Sequence, residues 1–159
     1  MKKLIFILSL CACTIAANAQ SKSVAALKDK YKSNDDFFQL ELGGNFMNFA
    51  EGFKIDIDEN DMATVAKSIE KLNFFTLPNG SEGMAEFKAL QKGLDRERYD
   101  LLMESSKGKS GVLVFSKGSN LISDVVILVG DEKDGNLMVI ELKGKFTQEA
   151  ISKVTKNSI

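Results

Sequence analysis

After residue 19 the chain contains neither a cysteine nor a histidine. Both cysteines, Cys11 and Cys13, stand in the leading segment, and the 159 residues include no His. A domain made from the remainder has no disulfide to staple it and no thiolate or imidazole to hold zinc or haem. Ser-His-Asp and Cys-His nucleophilic chemistry are excluded for the same reason. Such a domain rests on burial of apolar surface alone. With 44% of the chain apolar, the roughly 140 residues after the leader suffice for one well-cored domain and are too few for two.

The leader itself reads as a signal peptide covering residues 1–19. Lys2-Lys3 form a positive n-region, Leu4 to Leu10 an apolar h-region broken only by Ser9, and Ala17-Asn18-Ala19 a small-x-small cleavage site before Gln20. The apolar run is too short to span a bilayer, so no transmembrane segment is expected after cleavage. Leu10-Cys11-Ala12-Cys13 also has the outline of a lipobox with Cys13 as acceptor, although Cys at its middle position and the apolar run Thr14 to Ala17 favour ordinary cleavage. The expected location is periplasmic or extracellular, with lipid anchoring through Cys13 as the alternative. Charge is nearly balanced, 21 Lys and Arg against 22 Asp and Glu. Losing Lys2 and Lys3 leaves a net charge of −3, so no basic field exists for nucleic acid.

Residues 20–159 show no repeat and no linker, and read as one domain. Val24, Leu27 and Tyr31 predict a helix over 23–32. Residues 36–42 alternate, with Phe38, Leu40 and Leu42 on one side and Phe37, Gln39 and Glu41 on the other, a strand with one wet face. Beyond Gly43-Gly44, Phe46, Phe49, Ala50 and Phe53 follow at helical spacing. Asn60 or Asp61 opens an expected helix whose apolar face is Met62, Val65, Ala66, Ile69 and Leu72. Residues 74–77 form a brief strand ended by Pro78-Asn79-Gly80. Ser81 then caps a helix bearing Met84, Phe87, Leu90 and Leu94. Tyr99, Leu101 and Met103 alternate as a strand.

Short β-rich runs over 112–116, 121–129 and 137–142, punctuated by Gly, Ser and Asn, predict an antiparallel meander, since such loops cannot join parallel neighbours. In the long central strand, strict alternation puts Ile122, Val126 and Leu128 with Asp124 on one face, and Leu121, Val125, Ile127 and Val129 on the other. A last helix starts at Thr147, with Phe146 and Ile151 as its hydrophobic staple. The expected class is α+β, a mostly antiparallel sheet with helices packed mainly on one face.

Residues 121–153 resemble the closing part of domain-of-unknown-function family 4252, a family of exported bacterial proteins. The features that carry the likeness are an apolar strand ending in Val129-Gly130, an acidic hairpin, a second apolar strand ending in Lys143-Gly144-Lys145, and a helix reading Ile151-Ser152-Lys153. The front half is similar too: Ala19-Gln20-Ser21 closes the leader, Asp35-Asp36-Phe37-Phe38 opens a strand, and Phe46-Met47-Asn48-Phe49-Ala50 follows. The resemblance implies nothing about chemistry, because the family carries no established activity and has no catalytic residues to transfer.

Three polar clusters invite a chemical reading. Asp56, Asp58 and Asn60 imitate the start of a calcium loop, but the sixth position is Asp61 instead of Gly and the twelfth is Lys67 instead of Glu. Asp131, Glu132 and Asp134 before Gly135-Asn136 suit a hairpin tip. Paired carboxylates for hydrolysis could be drawn from Asp124, Asp131 and Asp134, with no separation legible in sequence. Ser106-Lys107-Gly108-Lys109-Ser110 lacks the spacing of a phosphate loop. No catalytic, cofactor-binding or metal-ligating residue is therefore assigned, no cofactor is implied, and the balance is against an enzyme.

The expected function is a small binding or adaptor module of the bacterial cell envelope, its ligand unidentified. An envelope-associated lipoprotein and a carboxylate-based hydrolase are the alternatives. The strands look apolar on both faces, so a sheet covered by helices on one side leaves Ile122, Val126, Leu128, Met138 and Ile140 as an interaction face for self-association or an envelope protein.

Overall fold

In the computed structural model the described residues are 20–44, 68–78, 82–107, 110–131, 135–149 and 151, and helix α1 (Lys22–Tyr31) comes first. Ser21 caps it by accepting from the Val24 amide at 3.2 Å, while Lys28 and Lys30 sit in the last turn, where cations suit the dipole. Its buried side is Val24 and Leu27, as the spacing predicts. Strand β1 (Phe38–Gly43) pairs with β2 (Ile69–Thr76), and helix α2 (Gly83–Arg96) then carries the chain over one sheet face to the far edge. From there β3 (Asp100–Lys107), β4 (Ser110–Lys117), β5 (Leu121–Asp131) and β6 (Asn136–Thr147) meander back until β6 meets β2. The order is β1-β2-β6-β5-β4-β3, with every neighbouring pair antiparallel. The expected α+β architecture is the one observed.

Both helices pack on one face. Val24 and Leu27 of α1 and Phe87, Leu90 and Leu94 of α2 meet Phe75, Leu113, Phe115, Val126, Leu128, Leu137 and Val139 of the sheet. A second cluster on the opposite face holds Val114, Ile122, Val125, Phe146 and Ile151. The staple residues Phe146 and Ile151 thus join one cluster, although β6 continues through Thr147 before the chain turns helical.

The two helices approach closely at Gly93, where a Cβ would lie 2.2 Å from the Ser23 hydroxyl. Helix α2 ends in a Schellman motif: the Arg98 amide donates to the Asp95 carbonyl at 3.1 Å and the Tyr99 amide to the Leu94 carbonyl at 3.0 Å. Arg98 takes the left-handed position with φ 62°, and Tyr99 and Leu94 bury together beneath it.

Several expectations are corrected. Ile69 and Leu72 belong to β2, not to a helix; an apolar run of this kind reads either way by periodicity, and pairing with β1 and β6 decided it. Met62, Val65, Ala66, Phe46, Phe49, Ala50, Phe53, Ser81 and the leader with Cys11 and Cys13 lie outside the described residues. The first described cap of α2 is Glu82, whose side chain makes no cap hydrogen bond. In β1 the side expected to be dry is open: Phe38 is 56% and Leu40 42% exposed, because β1 is an edge strand and faces away from both helices.

Candidate functional site

Cross-strand register sorts the sheet into rows. On the helix-covered face the first row, Phe75, Val139, Leu128 and Leu113, is wholly apolar. The next, Asn73, Glu141, Val126 and Phe115, is half polar. The third, Lys71, Lys143, Asp124 and Lys117, is entirely charged. Polarity therefore rises toward the end of the sheet that lies under the N-terminus of α1. Lys71 is turned outward to Glu41 at 2.6 Å, which leaves Lys143 and Lys117 as the cations that act on Asp124.

Glu141 and Asp124 are 2% and 3% exposed. Glu141 accepts from the Ser21 amide at 3.2 Å and from the Asn73 side-chain nitrogen at 3.5 Å. Glu97, just past α2, accepts from the Lys22 amide at 2.9 Å and from the amide and hydroxyl of Ser23. Burial pushes its pKa up, but those hydrogen bonds outweigh burial and hold it below the ordinary value. Tyr99 closes the cluster, its ring under the Lys117 ammonium at 4.9 Å and its hydroxyl beside Ser21. Burial first, then the charges of Asp124, Glu141 and Glu97, raise the tyrosine pKa well above 10.

Among the described residues, three buried atoms have no hydrogen-bond partner: Asn73 Oδ1, Tyr99 Oη and Asp124 Oδ1. Each such atom costs on the order of 1–3 kcal/mol. Burial is also the chief reason that the Asp124 carboxyl is pushed up to about 7; Lys143 and Lys117 pull it down, while Glu141 and Glu97 push it further up. Among the described residues no group of three His, Cys, Asp or Glu is placed to hold a metal ion.

The opposite face is built of apolar rows. Leu40, Phe74, Ile140, Ile127, Val114 and Met103 are successive cross-strand partners over all six strands. Phe38, Thr76, Met138, Val129 and Val112 form the row beside it. The Phe38 and Phe74 rings meet edge to face at 5.9 Å. A cavity of about 340 Å³ at the end of this face is lined by Asp36, Thr76, Val129, Asp131, Asn136 and Met138, among others.

The five residues expected to share an interaction face are divided. Val126 and Leu128 are fully buried beneath the helices, whereas Met138 and Ile140 are half-buried on the other side. Ile122 joins Val125 in the second cluster, at a bulge where Gly144 and Lys145 of β6 stand opposite Ser123 and the register shifts between Ile122 and Asp124. Of the hydrolase candidates, Asp124 is in the buried cluster and Asp131 lines the cavity, at opposite ends of β5; Asp134 and Glu132 lie outside the described residues, as do Asp56, Asp58, Asn60, Asp61 and Lys67. Glu141, Asn73 and Tyr99 were not singled out from sequence. A signal existed: Glu141 and Asn73 interrupt the apolar alternation Leu137-Val139 and Phe75 on strands that are otherwise dry on that side.

The architecture defines a small α+β domain with a buried charged cluster under its helices and an apolar face opposite. The chain belongs to the family described as a domain of unknown function, DUF4252, which it matches over residues 31–154. No curated protein and no solved structure matches it.

Proposed function

We propose that the chain is an exported binding or adaptor module of the bacterial cell envelope that docks its partner on the sheet face opposite α1 and α2. The observation that carries this reading is the apolar row running from Met103 to Leu40, which ends in side chains open to water at the β1 edge. Edge strands are usually blunted by charge, proline or cover. Here the edge presents Phe38 and Leu40 instead, backed by Phe74. Contiguous exposed apolar surface of this kind marks interaction sites. The neighbouring cavity lies within the lower range of ligand pockets and extends the same face through Met138 and Val129. Export rests on the leader. A hydrolase reading is less well supported, because Asp124 and Glu141 are sealed from any substrate. No helix among the described residues is long and apolar enough to cross a membrane.

Self-association is the simplest use of the face, and sedimentation velocity on the mature protein tests it. Wild type is expected to associate, and the Phe38→Ser/Leu40→Ser double variant to sediment as a monomer that still melts cooperatively, with the melting temperature lowered only by the loss of the Phe38–Phe74 contact and of the half-buried part of Leu40. A monomeric wild type whose double variant matched it in binding to envelope protein and to lipid vesicles would overturn the reading.

A further inference from the structure

We infer that the amino group released when the leader is cut between Ala19 and Gln20 is the missing partner of the buried cluster of Asn73, Tyr99 and Asp124, so that processing completes the domain. The inference rests on the reading of residues 1–19 as a cleaved leader. In the cut, water adds across the Ala19–Gln20 peptide bond: the hydroxyl stays on the Ala19 carbonyl as a carboxylic acid, and the Gln20 nitrogen departs as an amine. That amine takes up a proton below its ordinary pKa of about 7.7–8.0. A backbone amide with one N–H and no charge thereby becomes an ammonium with three N–H donors.

Its position follows from the next residue. Ser21 is 1% exposed, and its amide donates to Glu141 Oε1 at 3.2 Å. Consecutive residues are about 3.8 Å apart, and Gln20 is itself half-buried, so the new amino group forms at the edge of the cluster. What it meets there is complementary. Asn73 Oδ1 and Asp124 Oδ1 are acceptors without a donor, and the Tyr99 oxygen, beside Ser21, also lacks a partner. The three oxygens without a partner among the described residues equal the three new donors in number.

Charge agrees with the hydrogen-bond inventory. The charges acting on Asp124 are Lys143 and Lys117 on one side and Glu141 and Glu97 on the other. With Asp124 ionised, that is three anions against two cations. One ammonium restores neutrality, and a charge-assisted bond to a buried carboxylate is among the stronger ones available. While the leader remains attached, burial holds the Asp124 carboxyl near 7, so it is ionised only in part at neutral pH. After the cut the ammonium stabilises the carboxylate, and the N-terminus of α1 is drawn onto β5 and β6.

Gln20 supplies its own control. An N-terminal glutamine cyclises when its amine attacks the side-chain carbonyl carbon and ammonia leaves, giving a neutral lactam with a single N–H. The pyroglutamyl protein has the same length and side chains after position 20 but no ammonium.

The experiment uses protein recovered from the periplasm after its own processing. Intact mass first establishes the N-terminus. A chain that does not begin at Gln20 would overturn both the leader reading and this inference. For a chain that does, the free-amine form, its pyroglutamyl derivative made with glutaminyl cyclase, and a variant carrying one extra Gly before Gln20 are melted at pH 7. The capped and extended forms are expected to melt several degrees lower, with that difference abolished in Asp124→Asn. NMR titration of the wild-type amino group is expected to give a pKa at least about one unit above its ordinary value, and this decides the matter even if Asp124→Asn fails to fold. Equal melting temperatures together with an ordinary amino pKa would overturn the inference and leave the leader reading intact.

Discussion

Replacing Arg98 with glycine should stabilise the protein. Arg98 occupies the left-handed position that ends α2, with φ 62°, and its side chain is exposed, so the substitution removes a Cβ from an unfavourable backbone site without opening a cavity. Relief of the left-handed conformation is worth about 1–2 kcal/mol for a residue with a Cβ. Against this, glycine adds unfolded-state entropy of about 0.4–1 kcal/mol. The net gain is therefore about 0.5–1 kcal/mol, or a few degrees in the melting temperature of a domain this size. The motif itself should survive, because the amides of Arg98 and Tyr99 reach their carbonyls whichever residue stands at 98. Thermal melts of wild type, Arg98→Gly and Arg98→Ala separate the explanations. Alanine keeps the Cβ and should match arginine to within about 0.5 kcal/mol. If alanine raised the melting temperature as much as glycine, or if glycine lowered it, backbone strain would not be the reason and the argument would fail.

With the amino terminus blocked as pyroglutamate, Asp124 keeps its raised pKa, so the native state binds a proton that the unfolded state, with an ordinary aspartate pKa near 3.8, releases. Stability then falls as pH rises from about 4 to about 7, by roughly 1.4 kcal/mol per pH unit and several kcal/mol in total. Denaturant melts across that range should show the slope, and Asp124→Asn should flatten it and be the more stable protein at pH 8; a slope retained in the variant would assign the proton elsewhere. Neither reductant nor EDTA should move the melting temperature of a chain that begins at Gln20, since no cysteine or histidine follows that position; a fall of several degrees with EDTA would point to Asp56, Asp58 and Asn60.

Patterns among neighbouring residues were enough to assign the class of this domain and most of its elements. Helical spacing at Val24 and Leu27 and at Phe87, Leu90 and Leu94 reports which side chains a helix can bury, and those residues are buried. The short glycine- and serine-punctuated runs after Tyr99 permit only antiparallel neighbours, and a meander is observed. These are local properties, and local properties are written in adjacent residues. Which face a strand residue occupies is not one of them. An extra residue on the partner strand β6, between Lys143 and Phe146, shifts the register at Ile122 and Asp124 and leaves Ile122 in a different cluster from Val126, while nothing in Ile-Ser-Asp announces the bulge. Ile69 and Leu72 continued a helical pattern but were claimed by β1 and β6, because sheet hydrogen bonding to two neighbours outweighs a periodicity that no partner rewards. The buried cluster depended on tertiary structure most of all. Ser21, Asn73, Glu97 with Tyr99, Asp124 and Glu141 come from five separate stretches of chain, and only the closure of β6 against β2 under the start of α1 brings their oxygens together.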